Sequence, residues 1–285
     1  MENKVDNKVD NKVEKSVIFK GKSFKEIMGW AFKDIFTGWS KWEIVYAFIL
    51  LALQVAVLFI PVNGSELQPL WIKVVSFITG MSGTICVLLV AKGKISNYLF
   101  GIVQTVFGVL VGGFHRLIGE TFENLMYLVF QFIGIKEWSK HMVVESDSEE
   151  EQDTGVVETK KFHWLDWVIT VALIAGLTYG LGTMFYSLNG SFGYSDAFTL
   201  VVAVIAQLLM TYRYREQWVI WFSLNVVSVW QFYNAGNASM FALYVALTIN
   251  TVFGWFTWSK SVSKTKEELP IIQQLALKLK ITKMT

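Results

Sequence analysis

The sequence predicts an all-α membrane protein with eight transmembrane helices: two parallel three-helix repeats joined by a linker helix (3+1+3), plus one extra N-terminal helix. Three observations predict it. Of the 285 residues 53% are apolar, 15% aromatic and only 17% charged, against about 25% charged in a soluble domain. The apolar residues fall in long runs almost free of Asp, Glu, Lys and Arg. A helix crossing a hydrocarbon core of about 30 Å needs about 20 such residues, and backbone amides in lipid must bond internally, which makes helices the spanning element. Finally, one triplet of runs matches another at a shift of about 120 residues.

Residues 1–15 read MENKVDNKVDNKVEK, a polar repeat of alternating charge that buries nothing and is expected to be disordered. Over 20–36, Phe24, Ile27, Met28, Ala31 and Ile35 recur at helical spacing, and Lys25, Glu26, Lys33 and Asp34 fall elsewhere on the wheel. That pattern fits a helix lying in the membrane interface, with Trp30, Trp39 and Trp42 at headgroup level. Residues 1–42 thus read as a cytoplasmic tail. The first apolar run, 43–61, begins only after this long polar segment, so no cleavable signal peptide is expected. It makes the extra helix.

Runs at 70–91, 95–113 and 122–140 form the first repeat, 70–140. The run at 164–187 is the linker helix. Runs at 196–212, 217–235 and 239–258 form the second repeat, 196–258. Turn formers separate them: Pro61, Asn63 and Gly64; Asn189, Gly190 and Gly193; Asn234, Gly236 and Asn237. The long connection 141–163 holds the acidic stretch VVESDSEEEQDTGVVETKK at 143–161 and reads as a solvated, flexible cytoplasmic loop. The tail 259–285 is basic, and its Ile271, Leu275, Leu279 and Met284 suit a second interfacial helix.

Eight crossings put both termini on one side. With that side cytoplasmic, 23 of the 25 Lys and Arg fall there, and only Lys73 and Arg116 fall outside. This asymmetry follows the positive-inside rule. It predicts a multi-pass protein of the cell (inner) membrane with both termini in the cytoplasm; an odd number of spans would break it.

Within the repeat, Lys92 and Lys94 match Arg213 and Arg215 at a cytoplasmic turn, Gln104 matches Asn225 mid-span, and Gly134, Trp138, Ser139 and Lys140 match Gly254, Trp258, Ser259 and Lys260. Parallel repeats around a linker helix are a transporter plan in which substrate sits between the repeats near the midplane.

The stretch from Arg213 to Asn225 is the most informative. Trp218, Trp221 and Asn225 are spaced i, i+3, i+7, on one face of a helix. Two indoles and a carboxamide suit a flat, cationic, amide-bearing ring: an indole face attracts a cation, more strongly when both are desolvated, and the amide pairs with amides or hydroxyls. Competing readings stand beside this one. Trp218, near the basic turn, also suits an interfacial anchor. Asn225, too deep to be left unbonded, also suits helix–helix bonding. Gln104 is the corresponding amide of the first repeat, Phe107 one turn on is placed to close the cage, and Asn250 is a weaker candidate that also suits helix packing. Gln131, Asn124 and Tyr127 share a face of the fourth span.

The motif Trp218-Val-Ile-Trp221-Phe-Ser-Leu-Asn225, behind a basic turn and Glu216-Gln217, resembles the signature of the PnuC family of vitamin transporters, over about residues 43–260. The resemblance implies a fold similar to the sugar-carrying SWEET proteins, nicotinamide riboside as substrate, import by facilitated diffusion, a homotrimer, and trapping of the riboside by a cytoplasmic riboside kinase. Leu224 departs from the family pattern, which often has tyrosine before the asparagine, and so removes one polar contact.

Other classes find little support. The single cysteine, Cys86, excludes an intrachain disulfide and reads as a small buried hydrophobe. Asp, Glu, Lys and Arg are missing from mid-span, where ion-coupled transporters keep such groups. Glu123, Asp166 and Asp196 stand at span ends, where solvation is expected. His115, His141 and His163 lack metal spacing, and no Walker-type loop or catalytic triad is visible. No enzyme activity, cofactor, metal or nucleic-acid partner is therefore expected, and the lipid bilayer is the obligatory surrounding. Alternatives are a carrier of thiamine, riboflavin or a deoxynucleoside on the same fold, a membrane-embedded enzyme or sensor, or a scaffold.

Overall fold

The computed structural model describes residues 23–57, 69–114, 118–145, 154–187, 193–234, 238–262, 269–274 and 276. They form α1 (Phe24–Asp34), α2 (Lys41–Val57), α3 (Leu70–Ala91), α4 (Asn97–Phe114), α5 (Ile118–Trp138), β1 (Met142–Glu145), β2 (Thr154–Val157), α6 (Trp164–Ser187), α7 (Gly193–Thr211), α8 (Gln217–Asn234) and α9 (Ala238–Lys260). The chain is predominantly helical, and α2 to α9 each overlap one of the apolar runs. Among the described residues α3, α4, α6 and α7 are long and apolar enough to cross a membrane. Their outer faces are apolar: Val103, Val106 and Leu110 on α4 and Val168, Val171, Leu173 and Leu177 on α6 are exposed. Such continuous apolar surface belongs against lipid rather than water. The 1–15 repeat lies outside the described residues.

Neighbouring helices pack in sequence, α3 on α4 on α5 and α6 on α7 on α8 on α9, and the chain closes through α5 on α7 and α3 on α9. The second kind of contact carries a repeated bond. Trp138 at the end of α5 donates its indole N–H to the Met210 carbonyl on α7, at 3.1 Å. Trp258 at the end of α9 donates to the Val90 carbonyl on α3, at 2.8 Å. Both donors and both acceptors stand 120 residues apart. The same offset links Gly134, against which Tyr98 packs, to Gly254, against which Trp218 packs. A Cβ at either glycine would collide with the ring, so only glycine allows the approach. It also links the two left-handed turn residues, Gly93 at φ 68° and Arg213 at φ 69°.

This end of the bundle, which carries the basic turns, holds the main core: Tyr98, Trp138, Trp218 and Trp258 with Ile95, Met142 and Val157. Helix α1 packs on it. A capping box starts α1: Ser23 Oγ accepts from the Glu26 N–H at 3.4 Å, and the Ser23 N–H donates to Glu26 Oε2 at 2.7 Å. Its Ile27 and Ala31 face the protein core, not the membrane interface expected from the wheel, while Phe32 and Phe36 are exposed. Asp34, expected on the polar face, is buried. Lys94 explains this: its ammonium donates to the Asp34 and Thr37 carbonyls at the C-terminal end of α1 and lies 3.4 Å from the Asp34 carboxylate, and Ser96 Oγ donates to the same carboxylate at 3.3 Å. A cation suits the negative end of a helix dipole. Trp39, expected at the headgroups, donates its indole N–H to the Ile35 carbonyl and lies under Lys92 and Lys94.

Burial pushes the Asp34 carboxyl up and the Lys94 ammonium down, each against the pull of the other. A pair so desolvated fixes position more than it stabilises. Lys94→Met is therefore expected to cost about 3–5 kcal/mol by stranding a buried carboxylate, and Asp34→Leu in the same chain should recover most of it. Thermal unfolding of the single and double variants in detergent checks this; additive losses would contradict it.

The acidic connection is not loose throughout. Met142–Glu145 and Thr154–Val157 pair antiparallel, Met142 opposite Val157, because valines flank the acidic stretch and suit a strand. The acidic residues 146–153 lie outside the described residues. Asp166 is buried rather than solvated: it accepts from the His163 N–H at 3.0 Å and the Ile271 N–H at 2.8 Å. Ile271 thereby packs against the Phe162 and Tyr214 cluster; Leu275, Leu279 and Met284 lie outside the described residues.

Candidate functional site

A cavity of about 740 Å³ lies between the α3–α5 group and the α7–α9 group and is lined from both. Helix α8 enters it because its i, i+3, i+7 face points inward: Trp218, Trp221 and Asn225 all line the cavity. The three differ in burial. Trp218 is 4% exposed, wedged on Gly254 and edge-on to Trp258 at 5.8 Å. It is as much a packing residue as a lining one, which accounts for its position near the basic turn. Its indole Nε1 has no hydrogen-bond partner among the described residues. Trp221 is half-buried and lines the same cavity. Asn225 is 4% exposed and makes no hydrogen bond to a described residue, so its carboxamide is available to a guest.

Gln104 lines the cavity from α4, against Gly83 of α3. The 120-residue offset seen in the indole bonds matches Thr105, not Gln104, to Asn225; Thr105 and Asn225 both line the cavity. Phe107 is not brought to it. The inward side of α4 runs through Gly101, Gln104, Thr105 and Gly108, with Gly101 against Gln131 and Gly108 against Asn124. At about 100° per residue, position 107 falls about 110° from the middle of that side. Asn250 lines the cavity too, but its carboxamide is engaged: it accepts from Tyr46 Oη at 3.3 Å and lies 3.5 Å from the Val87 carbonyl.

Further polar groups line the cavity. Gln207 on α7 and Gln131 on α5 are buried, and among the described residues the Gln207 Nε2 and the Gln131 Oε1 have no hydrogen-bond partner. Gln207 was legible: an amide in the middle of an apolar run is the signal that picked out Asn225. At the end away from the basic turns stand Glu123, whose carboxylate accepts from Tyr127 Oη at 2.5 Å, and Asp196, which accepts from Gln231 Nε2 at 3.0 Å. Both were expected to be merely solvated. Among the described residues the lining contains no Lys, Arg or His. The whole is an amide-rich chamber with several aromatic rings in its wall and two carboxylates at one end. It suits a neutral or cationic polar molecule with a flat ring.

Residues 70–260 match the family described as nicotinamide mononucleotide transporter, and curated relatives align along nearly their whole length. The chain is 32% identical to the nicotinamide riboside transporter PnuC of Neisseria mucosa over 272 residues, 93% of this chain and 98% of the relative. It is also 32% identical to the nicotinamide riboside transporter PnuC of Haemophilus influenzae, over 82% of this chain and 96% of that one. The chain belongs to the PnuC family of transporters. The crystal structure of a PnuC family member described as a vitamin B3 transporter superposes with a TM-score of 0.67 at 30% identity, covering 84% of this chain and 99% of that one. A membrane protein of the PnuC family is thus in hand, and its central cavity is the candidate transport site.

Proposed function

We propose that this PnuC family member carries nicotinamide riboside across the cell membrane by facilitated diffusion. The observation that carries the reading is the chamber between the helix groups, with Trp218, Trp221 and Asn225 on one side of it and no Lys, Arg or His among its described lining. The riboside's pyridinium ring is flat and positively charged, which suits an indole face in a desolvated site; its carboxamide and ribose suit Asn225, Gln104, Gln131 and Gln207. The names of the relatives from Neisseria and Haemophilus support the same substrate. The family description suggests a mononucleotide instead. Among the described residues a phosphate of charge about −1.5 to −2 would meet carboxylates and amides in this chamber but no cation, which favours the riboside as the guest.

The finer features belong to the same proposal. All eight helices α2–α9 cross the bilayer, with both termini and the basic turns in the cytoplasm, supported by the 23 to 2 split of Lys and Arg. They form two parallel three-helix repeats about the linker α6, supported by the reciprocal indole bonds 120 residues apart. The mechanism is uncoupled, the assembly a homotrimer, and a cytoplasmic riboside kinase traps the product. Tryptophan fluorescence of the purified protein tests the substrate. Nicotinamide riboside is expected to give a saturable change and thiamine and riboflavin none; saturation by either of those instead would move the chain to another branch of the fold.

A further inference from the structure

At the basic end the cavity floor is shut by two layers of contact. The first is the indole pair. Trp138 and Trp258 are fully buried, with ring centroids 5.6 Å apart. Their acceptors, Met210 and Val90, themselves line the cavity, so the clamp lies directly at its floor. Each bond ties one helix group to the other. Neither is needed to satisfy the backbone: the Val90 carbonyl already accepts from the Gly93 N–H at 2.9 Å and the Met210 carbonyl from the Arg213 N–H at 3.0 Å. The indole N–H groups thus add a cross-tie over and above packing.

The second layer is a strap, residues 157–160, running from the last residue of β2 toward α6. The Val157 N–H donates to the Gly93 carbonyl at 2.9 Å, on the α3–α4 turn. The Lys160 N–H donates to the Arg213 carbonyl at 2.8 Å and its carbonyl accepts from the Arg215 N–H at 3.0 Å, on the α7–α8 turn. Thr159 Oγ1 donates to the Trp258 carbonyl at 2.8 Å. The buried Arg213 guanidinium donates to the Glu158 carbonyl at 2.7 Å and reaches Glu137 at the end of α5 at 3.4 Å. Arg213 holds this place in a left-handed conformation that side chains rarely adopt.

We propose that the Trp138–Trp258 pair is the inner gate of the transport path, shut in this structure, and that the 157–160 strap is its latch. Opening toward the basic end requires both indole bonds to break and the strap to release Arg213. The inference takes from the proposed function only that the basic end faces the cytoplasm.

Cys86, the single cysteine of the chain, lines the cavity above this floor, so its reaction with a charged, membrane-impermeant thiosulfonate reports opening. The full-length protein is labelled in inside-out and right-side-out vesicles, without riboside, so that the substrate reading plays no part. Trp138→Phe and Trp258→Phe keep an aromatic ring but lose the N–H. Each is expected to raise the labelling rate from the cytoplasmic side by roughly fivefold, and the double variant by roughly twentyfold, the shift that hydrogen bonds of ordinary net strength carry. Labelling from the opposite side should not rise. Arg213→Gly, whose residue suits the local backbone, should raise cytoplasmic labelling in the same sense, and it decides the matter if the double indole variant does not fold. Unchanged rates from both sides in a folded variant, or equal rises from both, would overturn the gate. A rise confined to the outer side would overturn the orientation and with it an inward gate.

Discussion

Trp221→Ala is expected to lower the affinity for nicotinamide riboside about a hundredfold or more. The alanine removes a stacking surface worth about 1–3 kcal/mol for a flat base and a cation–π attraction of about 2 kcal/mol in a desolvated site, and every 1.4 kcal/mol is tenfold. Trp221 is the sharper test than Trp218. Trp218 is wedged on Gly254 and edge-on to Trp258, so its loss would disturb the floor of the cavity along with any binding. Trp221 is only half-buried beside Ile220 and Leu224, and truncating it should leave the fold intact. Isothermal titration of the variant against the unaltered protein, with thermal unfolding as a control, measures the change. A well-folded variant that binds the riboside unchanged would remove the indole from the site.

The second large effect is discrimination against phosphate. Nicotinamide mononucleotide shares the ring, amide and ribose but adds a phosphate of charge about −1.5 to −2. In the cavity that charge would find Glu123 and Asp196 at one end, amides along the walls and, among the described residues, no Lys, Arg or His. An ion left desolvated without a partner costs several kcal/mol. The mononucleotide is therefore expected to bind more than about a thousandfold more weakly than the riboside. Competition of each compound with labelled riboside measures the ratio; comparable affinities would mean that phosphate reaches a cation outside this lining.

The inward face of α8 was readable because three side chains at helical spacing settle their mutual position whatever surrounds the helix. What lies opposite a face is not in the periodicity. The wheel of α1 offers an apolar stripe, but it cannot tell lipid from protein, and Ile27 and Ala31 meet the core because Lys94, 60 residues away, holds the C-terminal end of α1. Phe107 failed for a related reason: one turn from Gln104 is near in sequence, yet the close glycine packing of α4 on α5 sets which side of the helix faces inward. The ordered ends of the acidic connection were hidden by the charge between them, although the flanking valines carry an ordinary strand signal. Gln207 carries the same signal as Asn225, an amide in the middle of an apolar run.

Uptake of labelled nicotinamide riboside into liposomes holding the purified protein, with no proton or sodium gradient, tests the transport reading most directly. Saturable entry that stops when the inside and outside concentrations match is the expected result. Entry no faster than into protein-free liposomes, or entry only when an ion gradient is imposed, would contradict it.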